Sequence, residues 1–163
     1  KDREGVNAVN TNFASKRLIG CRFSDPATQR EIRKFPFKVL PGSDDEPLIE
    51  VEYRGETTHF TPLQVSAMVL CHMKEIASAY LGHAVTKAVI TVPACFDHDL
   101  RERTKEAALS VGLDVIRMVV EPTSAAIAYG IDQTDEGELR VLVYDLGGGT
   151  LDVSVVQMED GIF

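Results

Sequence analysis

The residues best suited to chemistry lie in the stretch VYDLGGGTLDVSVVQ, residues 143–157. Two aspartates, Asp145 and Asp152, bracket three consecutive glycines and a threonine at 147–150. Consecutive glycine N–H groups, which no side chain shields, form a concave site for an anion such as phosphate. Carboxylates repel phosphate unless a cation lies between them. The pattern therefore indicates a nucleotide phosphate bound together with Mg²⁺.

The glycine loop differs from the phosphate loops that open a helix. A Walker loop has Gly-Lys-Ser/Thr, and a dinucleotide fingerprint has G-x-G-x-x-G. Here no lysine follows the glycines, and the β-branched run that begins at Leu151 has strand character. We therefore expect the loop to join two strands as a hairpin. On this segment alone, an ordinary glycine-rich hairpin turn stays open as the alternative.

The elements that must position this loop alternate between helix and strand. From residue 61 the order is α-β-α-β-α-β-loop-β, and its first helix begins at the capping box TPLQ, residues 61–64. This order predicts a mostly parallel α/β sheet to which the final hairpin adds antiparallel pairing. Pro93, Glu121 and Asp145 each lie at the end of a predicted strand. Because ligands bind outside the carboxyl ends of such strands, we expect these residues to face one cleft.

The segment before residue 61 is less regular. A short helix is expected from Thr11 to Ile19, with Gly20 after its end. Residues 23–47 are predicted to be irregular, and 48–60 form a hairpin pattern.

Composition excludes several classes of function. The 163 residues carry a formal net charge of −8, which argues against broad binding to nucleic acid or to an anionic membrane surface. The three cysteines, Cys21, Cys71 and Cys95, are scattered and show no disulfide framework or zinc-ligand spacing. No apolar run reaches the roughly 18 residues that a membrane span requires. The absence of an initiator methionine predicts a piece of a longer protein, so its start carries no targeting information.

Six segments, in the same order along the chain, resemble the ATPase domain of the heat shock protein 70 chaperone family, within the actin and sugar-kinase superfold. They read FASKRLIGCRF, YRGETTHFTPLQVSAMVL, MKEIASAYLG, VITVPACFDHDLRERTKEAA, VVEPTSAAIAYG and VYDLGGGTLDVSVV. The resemblance implies an α/β, partial actin-like/ribonuclease H-like fold. Residues 1–61 would be the outer part of lobe I, 62–134 its inner α/β part, and 135–163 the start of lobe II.

The resemblance also implies roles in binding and hydrolysing ATP. Lys16 would hold the attacking water or the γ-phosphate, and without the family it would be taken for a solvated surface lysine. Glu121 and Asp145 would bind Mg²⁺ through its waters, and Asp152 would position the nucleophilic water or a K⁺ ion. The residues that would wrap the β- and γ-phosphates of ATP or ADP are Gly147, Gly148, Gly149 and Thr150.

Further residues resemble the family's contacts between domains and with partners. Pro93 and Arg101 would relay between nucleotide and peptide-binding domain, and Arg117 would meet J-domain co-chaperones. On their own, both arginines read as surface charges. The implied partners are J-domain co-chaperones, nucleotide-exchange factors and unfolded client proteins. The expected compartment is the cytoplasm, with the endoplasmic reticulum and organelles left open.

The sequence departs from the family pattern at Cys95, where an aromatic residue is common, and at Cys21, where a basic one is usual. The family's first phosphate loop would precede residue 1, and its adenosine site would follow residue 163. We therefore expect the 163-residue chain to bind ATP weakly or not at all, and not to hydrolyse it. Two alternatives are another actin-like or sugar-kinase relative and a non-catalytic regulator that binds co-chaperones.

Overall fold

The computed structural model describes residues 5–131, 137–147, 150–159 and 162–163, which form a mixed α/β structure. Its helices are α1 (Pro26–Ile32), α2 (Pro62–Leu81), α3 (His98–Ser110) and α4 (Glu121–Ala128). Its strands are β1 (Lys38–Pro41), β2 (Pro47–Tyr53), β3 (Glu56–Phe60), β4 (Lys87–Val92), β5 (Asp114–Val120), β6 (Glu138–Leu146) and β7 (Leu151–Glu159). The helix and strand order expected after residue 61 is thereby confirmed.

The chain divides into two compact units. The first unit contains Lys1–Thr86 and His98–Asp114, and the second contains Lys87–Asp97 and Val115–Phe163. The predicted division of the chain into three lobe segments, 1–61, 62–134 and 135–163, stays a prediction.

Helix α2 begins at the capping box that the sequence predicts. The Gln64 N–H donates to Thr61 Oγ1 at 3.2 Å, and the Thr61 N–H donates to Gln64 Oε1 at 2.9 Å. These two bonds satisfy donors that a helix otherwise leaves unpaired at its start. The helix ends at Leu81 and is capped by Gly82, whose φ of 73° is left-handed and favours glycine.

The core of the first unit lies between its sheet and the chain near residue 18. Strands β1, β2 and β3 form an antiparallel sheet in that order. Leu18, Phe37, Val39 and Ile49 form one buried cluster, and Leu18 and Ile49 are fully inaccessible to solvent. The Phe13 ring meets the Phe37 ring edge to face at 5.7 Å, a favoured aromatic geometry.

The second unit contains two two-stranded sheets, β4–β5 and β6–β7, together with α4. Its buried apolar side chains in the described residues are Val92, Ala126, Val156 and Met158. The strands of the described residues thus lie in three small sheets rather than in the one mostly parallel sheet that the alternation predicts. The alternation of helix and strand patterns in the sequence predicts the order of the elements. It does not predict which strands pair, because pairing requires the strands to be neighbours in space.

Two local predictions in the first unit are wrong. The expected helix from Thr11 to Ile19 is replaced by two 3₁₀ turns, Ala8–Asn10 and Ser15–Leu18. Ala14, at a left-handed φ of 54°, separates the two turns and interrupts any continuous helix. The segment 23–47, expected to be irregular, contains α1 and β1.

One face of α2 is apolar and exposed. Val69, Met73, Ile76 and Tyr80 recur at helical spacing, and between 49 and 89 % of each residue is accessible to solvent. Among the described residues, no helix is long and apolar enough to cross a membrane.

Candidate functional site: an acidic cavity beside the glycine loop

The hairpin β6–β7 holds the two aspartates in register. Its strands pair antiparallel from Glu138–Glu159 to Leu146–Leu151, and Asp145 lies directly opposite Asp152. The Gly147 N–H donates to the Thr150 carbonyl at 2.9 Å and closes the hairpin. The prediction that the loop joins strand to strand is confirmed. Opposed carboxylates repel each other, and this makes the site costly unless a cation is bound.

Beside the glycine loop, the hairpin register separates acidic from apolar side chains. Side chains alternate between the two faces of a strand, so Asp145 and Asp152 share a face with Val143 and Ser154. At the same level, the opposite face carries the pairs Tyr144–Val153 and Leu146–Leu151. The two faces of the hairpin are therefore chemically different next to the loop.

A third carboxylate is delivered by the junction of β5 and α4. Glu121 follows the last residue of β5 and is the first residue of α4, with Pro122 in the first turn. The sequence SAAIAY, residues 124–129, predicts a helix that starts at Ser124, and α4 begins three residues before it. The Ser124 hydroxyl donates to the Glu121 carbonyl at 2.8 Å and holds this first turn.

Glu121, Asp145 and Asp152 line one cavity of about 190 Å³ in the second unit. The expectation that the ends of β5 and β6 face a common cleft therefore agrees with the geometry. Pro93 is half-buried at the end of β4, and the residues after it, Ala94 and Cys95, line the same cavity.

The chemistry of the donor set suits Mg²⁺. Carboxylate oxygens are the ligands this ion prefers, and it commonly keeps several of its waters while one or two carboxylates bind. No three metal-binding side chains in the described ranges lie close enough to hold an ion directly. Binding through the waters of the ion, as the resemblance implies for Glu121 and Asp145, is compatible with that spacing.

The glycine loop is only partly described. Gly147 and Thr150 are exposed at the ends of β6 and β7. Gly148 and Gly149, predicted to wrap the phosphates, lie outside the described residues.

The remaining predicted residues lie elsewhere in the two units. Lys16 is exposed in the 3₁₀ turn Ser15–Leu18 of the first unit, and Arg101 is half-buried in α3 of the same unit. Arg117 is exposed on β5, in the second unit. Their roles stay predictions.

Besides the three carboxylates, the cavity is lined by two further side chains that could take part in chemistry, Cys95 and Ser154, and neither belongs to the predicted site. Cys95 departs from the family pattern, and it follows a strand end. Ser154 lies two positions after Asp152, so strand alternation alone would have placed it on the acidic face.

A second, larger groove lies between α4 and β6. Its volume is about 470 Å³, and its lining includes Tyr129, Leu142 and Tyr144. All three are exposed, Tyr129 to 89 %.

Comparison with known proteins identifies the family. Residues 1–163 match the family model described as Hsp70 protein. The chain belongs to the Hsp70 family. It is 53% identical, over its whole length, to the heat shock 70 kDa protein of Neurospora crassa and to that of Emericella nidulans. It is 49% identical, again over its whole length, to the heat shock cognate 70 kDa protein 3 of Dictyostelium discoideum.

The chain spans about a quarter of the length of these relatives, 25% of the two fungal proteins and 26% of the Dictyostelium protein. The family assignment made from six segments is confirmed and extends over all 163 residues. It supports a nucleotide-binding chaperone ATPase domain rather than a sugar kinase.

Proposed function

We propose that this chain supplies part of the Mg-ATP site of an ATP-dependent chaperone, whose hydrolysis of ATP drives protein folding and client release. The observation that supports this most is the convergence of Glu121, Asp145 and Asp152 on one cavity beside the glycine loop. Because the chain is acidic, it must attract an anionic nucleotide through local features. A loop of backbone N–H groups together with a bound cation provides such features. Mg²⁺ would neutralise the charge that develops on the phosphates.

The residues of the chain would act by positioning. Glu121 and Asp145 would accept hydrogen bonds from water molecules of the metal, while Asp152 would orient the attacking water or hold K⁺. The two glycines after Gly147, together with Thr150, would donate N–H groups to the phosphates, and Gly147, whose N–H bonds the Thr150 carbonyl, would leave room for them because it has no side chain. Phosphoryl transfer asks a protein mainly for such positioning and charge neutralisation.

The test is a chimera in which residues 1–163 replace the matching quarter of the Neurospora crassa relative. We expect Mg-dependent ATP hydrolysis, and we expect Asp145→Asn or Glu121→Gln to reduce it by about tenfold or more. Glu159→Gln, at the far end of the same hairpin, is the matched control and should leave the rate unchanged.

The outcomes separate the candidate functions. A folded chimera that binds no nucleotide would contradict the proposal and favour the non-catalytic regulator. If Glu159→Gln lowers the rate of hydrolysis as much as Asp145→Asn does, then removing any carboxylate disturbs the hairpin. The assignment of the Mg-ATP site to this cavity would then be wrong.

The 163-residue chain by itself should behave differently. Asp145, Gly147, Thr150 and Asp152 are all exposed, so nucleotide held there remains in contact with solvent. We expect no rise in melting temperature with millimolar Mg-ATP, because ligand stabilisation requires a concentration well above Kd. A clear rise, measured by differential scanning fluorimetry, would contradict this prediction.

Partner contacts form a separate part of the proposal. Arg117 is exposed on β5 and would meet J-domain co-chaperones, while Pro93 and Arg101 would connect nucleotide binding to the peptide-binding domain. In the chimera, Arg117→Ala should weaken stimulation by a J-domain protein without changing the basal rate. Nucleotide-exchange factors, unfolded clients and a cytoplasmic compartment complete the proposed setting.

A further inference from the structure

Ser154 carries the only hydroxyl on the lining of the acidic cavity, all of which falls within the described residues. That lining also contains the carboxylates of Glu121, Asp145 and Asp152 and the thiol of Cys95, and its other residues have no polar side-chain atoms. Ionised carboxylates only accept hydrogen bonds, and a thiol is a weak donor. Ser154 is therefore the one strong side-chain donor that this lining offers to three acceptors.

Strand geometry fixes where the Ser154 side chain lies. Ser154 pairs with Val143, and Asp152 pairs with Asp145, so both residues of β7 lie on the same face of the hairpin. Two residues that follow one another on a face of a strand are separated by roughly 7 Å along its direction. Ser154 and Asp152 are thus neighbours on the acidic face, and the gap between their polar groups fits a single water.

The Ser154 hydroxyl is not engaged elsewhere. It forms no hydrogen bond with any other described residue, and Ser154 is half-buried beside the cavity. By contrast, three serines in helices each donate to a backbone carbonyl three or four residues earlier: Ser66, Ser110 and Ser124. The hydroxyl of Ser154 is therefore available to a group or a water inside the cavity.

We propose that Ser154 is a positioning residue, whose hydroxyl holds the Asp152 carboxylate in one direction through a bridging water. Asp145 and Asp152 are directly opposed and repel each other, so each carboxylate alone turns away from the other. A water that accepts from Ser154 and donates to Asp152 keeps that carboxylate directed into the cavity. The cavity of about 190 Å³ has room for several waters at about 30 Å³ each.

This inference deepens the proposed function and rests on it. In that function Asp152 orients the attacking water or holds K⁺, while the glycine loop holds the phosphates. Ser154 then affects the rate of hydrolysis through Asp152, and the affinity for nucleotide does not depend on it.

The experiment compares Ser154→Thr with Ser154→Val in the chimera described above. Threonine and valine have nearly the same shape and both suit a strand, but only threonine keeps the hydroxyl. We expect Ser154→Val to lower kcat for ATP hydrolysis by roughly tenfold, an effect typical of groups that orient a ligating side chain. KM for ATP should stay unchanged in both variants, and Ser154→Thr should keep most of the native kcat.

A second comparison tests whether Ser154 acts through Asp152. In a chimera that already carries Asp152→Asn, Ser154→Val should lower kcat little further, because the two substitutions interrupt the same interaction. Thermal melts verify that each variant is folded. If Ser154→Val is not folded, Ser154→Ala takes its place and is compared with Ser154→Thr in the same way.

The outcomes separate this inference from the proposed function. Equal kcat values for Ser154→Thr and Ser154→Val, in a chimera whose rate Asp152→Asn lowers, would overturn the inference and leave the proposed function standing. A full further loss from Ser154→Val in the Asp152→Asn chimera would do the same, because Ser154 would then act independently of Asp152. A folded chimera that hydrolyses no ATP would overturn both.

Discussion

The two units of the chain divide stability and chemistry between them. The first unit buries Leu18, Phe37, Val39 and Ile49 in one cluster. The second unit buries fewer large side chains but holds three carboxylates around one cavity and an uncovered apolar face. A site of opposed like charges reduces stability, and a thin core offsets little of that loss. The comparison predicts that substitutions in the first unit change stability most, while those in the second unit mainly change binding.

The largest effect should follow from Ile49→Ala in the first unit. Ile49 is fully buried in the aromatic and aliphatic cluster, so truncation leaves a cavity and should lower the free energy of unfolding by about 2–5 kcal/mol. Urea unfolding monitored by circular dichroism measures it. Ile116→Ala, at a residue of β5 that is 61 % exposed, is the control and should cost far less. Equal losses at the two sites would break the comparison.

A stabilising substitution is expected at Asn12 of the first unit. Both polar atoms of the Asn12 side chain are buried, and neither has a hydrogen-bond partner among the described residues. Because an unsatisfied buried group costs about 1–3 kcal/mol, Asn12→Val should raise the free energy of unfolding by a comparable amount.

Asn10→Val is the matched comparison for Asn12→Val. The Asn10 side-chain oxygen accepts a hydrogen bond from the Glu52 N–H at 2.8 Å, so its loss should destabilise the unit. Thermal melts of both variants, with shifts of opposite sign, would support this reading. A destabilised Asn12→Val protein would contradict it.

A smaller gain is expected in the second unit from Asp145→Asn in the absence of divalent ions. Removing one of two directly opposed charges should stabilise the hairpin by about 0.2–1 kcal/mol. Asp152→Asn should do the same. The double variant should add little to either, because one substitution already removes the repulsion. Destabilisation by the single variants, measured by urea unfolding in EDTA, would show that the aspartates do not repel each other.

The smallest effect concerns pH in the first unit. Hydrogen bonding to Lys38, and then to His59, lowers the pKa of Glu50 below its ordinary value. A lowered folded-state pKa gives stability that is present above the unfolded pKa and is lost as pH falls through the folded value. Lys38→Gln should therefore flatten the decline in melting temperature below about pH 4. Because Lys38 and Glu50 are accessible to solvent, the change should be small. Lys87→Gln, at an exposed lysine of β4, is the control.

Local sequence signals predicted much of the fold. The capping box at Thr61 and Gln64 located α2, and the β-branched run after the glycines located the hairpin. The register that opposes Asp145 to Asp152 is known only from the strand pairing in the structure. The same logic applied at α1 would have succeeded. Asp25 caps that helix through the Ala27 N–H at 2.8 Å, and Pro26 is in its first turn. That signal was present but was obscured by the surrounding charges.

Other features depend on contacts distant in sequence. Strand β1 is only four residues long and exists because it pairs with β2. The left-handed Ala14 has no signature in its residue type, because alanine favours helix. Of the candidate site, the convergence of Glu121 and Asp145 followed from the rule for strand ends. The exposure of the apolar face of α2, and of the apolar side chains beside the glycine loop, could not be predicted from the sequence. Hydrophobic periodicity marks which face of an element is apolar but does not show what covers that face.

The opposition of Asp145 to Asp152 also limits how the loop can evolve. The connection between Leu146 and Leu151 is four residues long. Inserting or deleting one residue would change the pairing by one position and place the aspartates among leucines and valines. Changes of two residues would preserve the two faces. We therefore expect viable length variants of this loop to differ by even numbers, a parity rule that arises from the alternation of side chains.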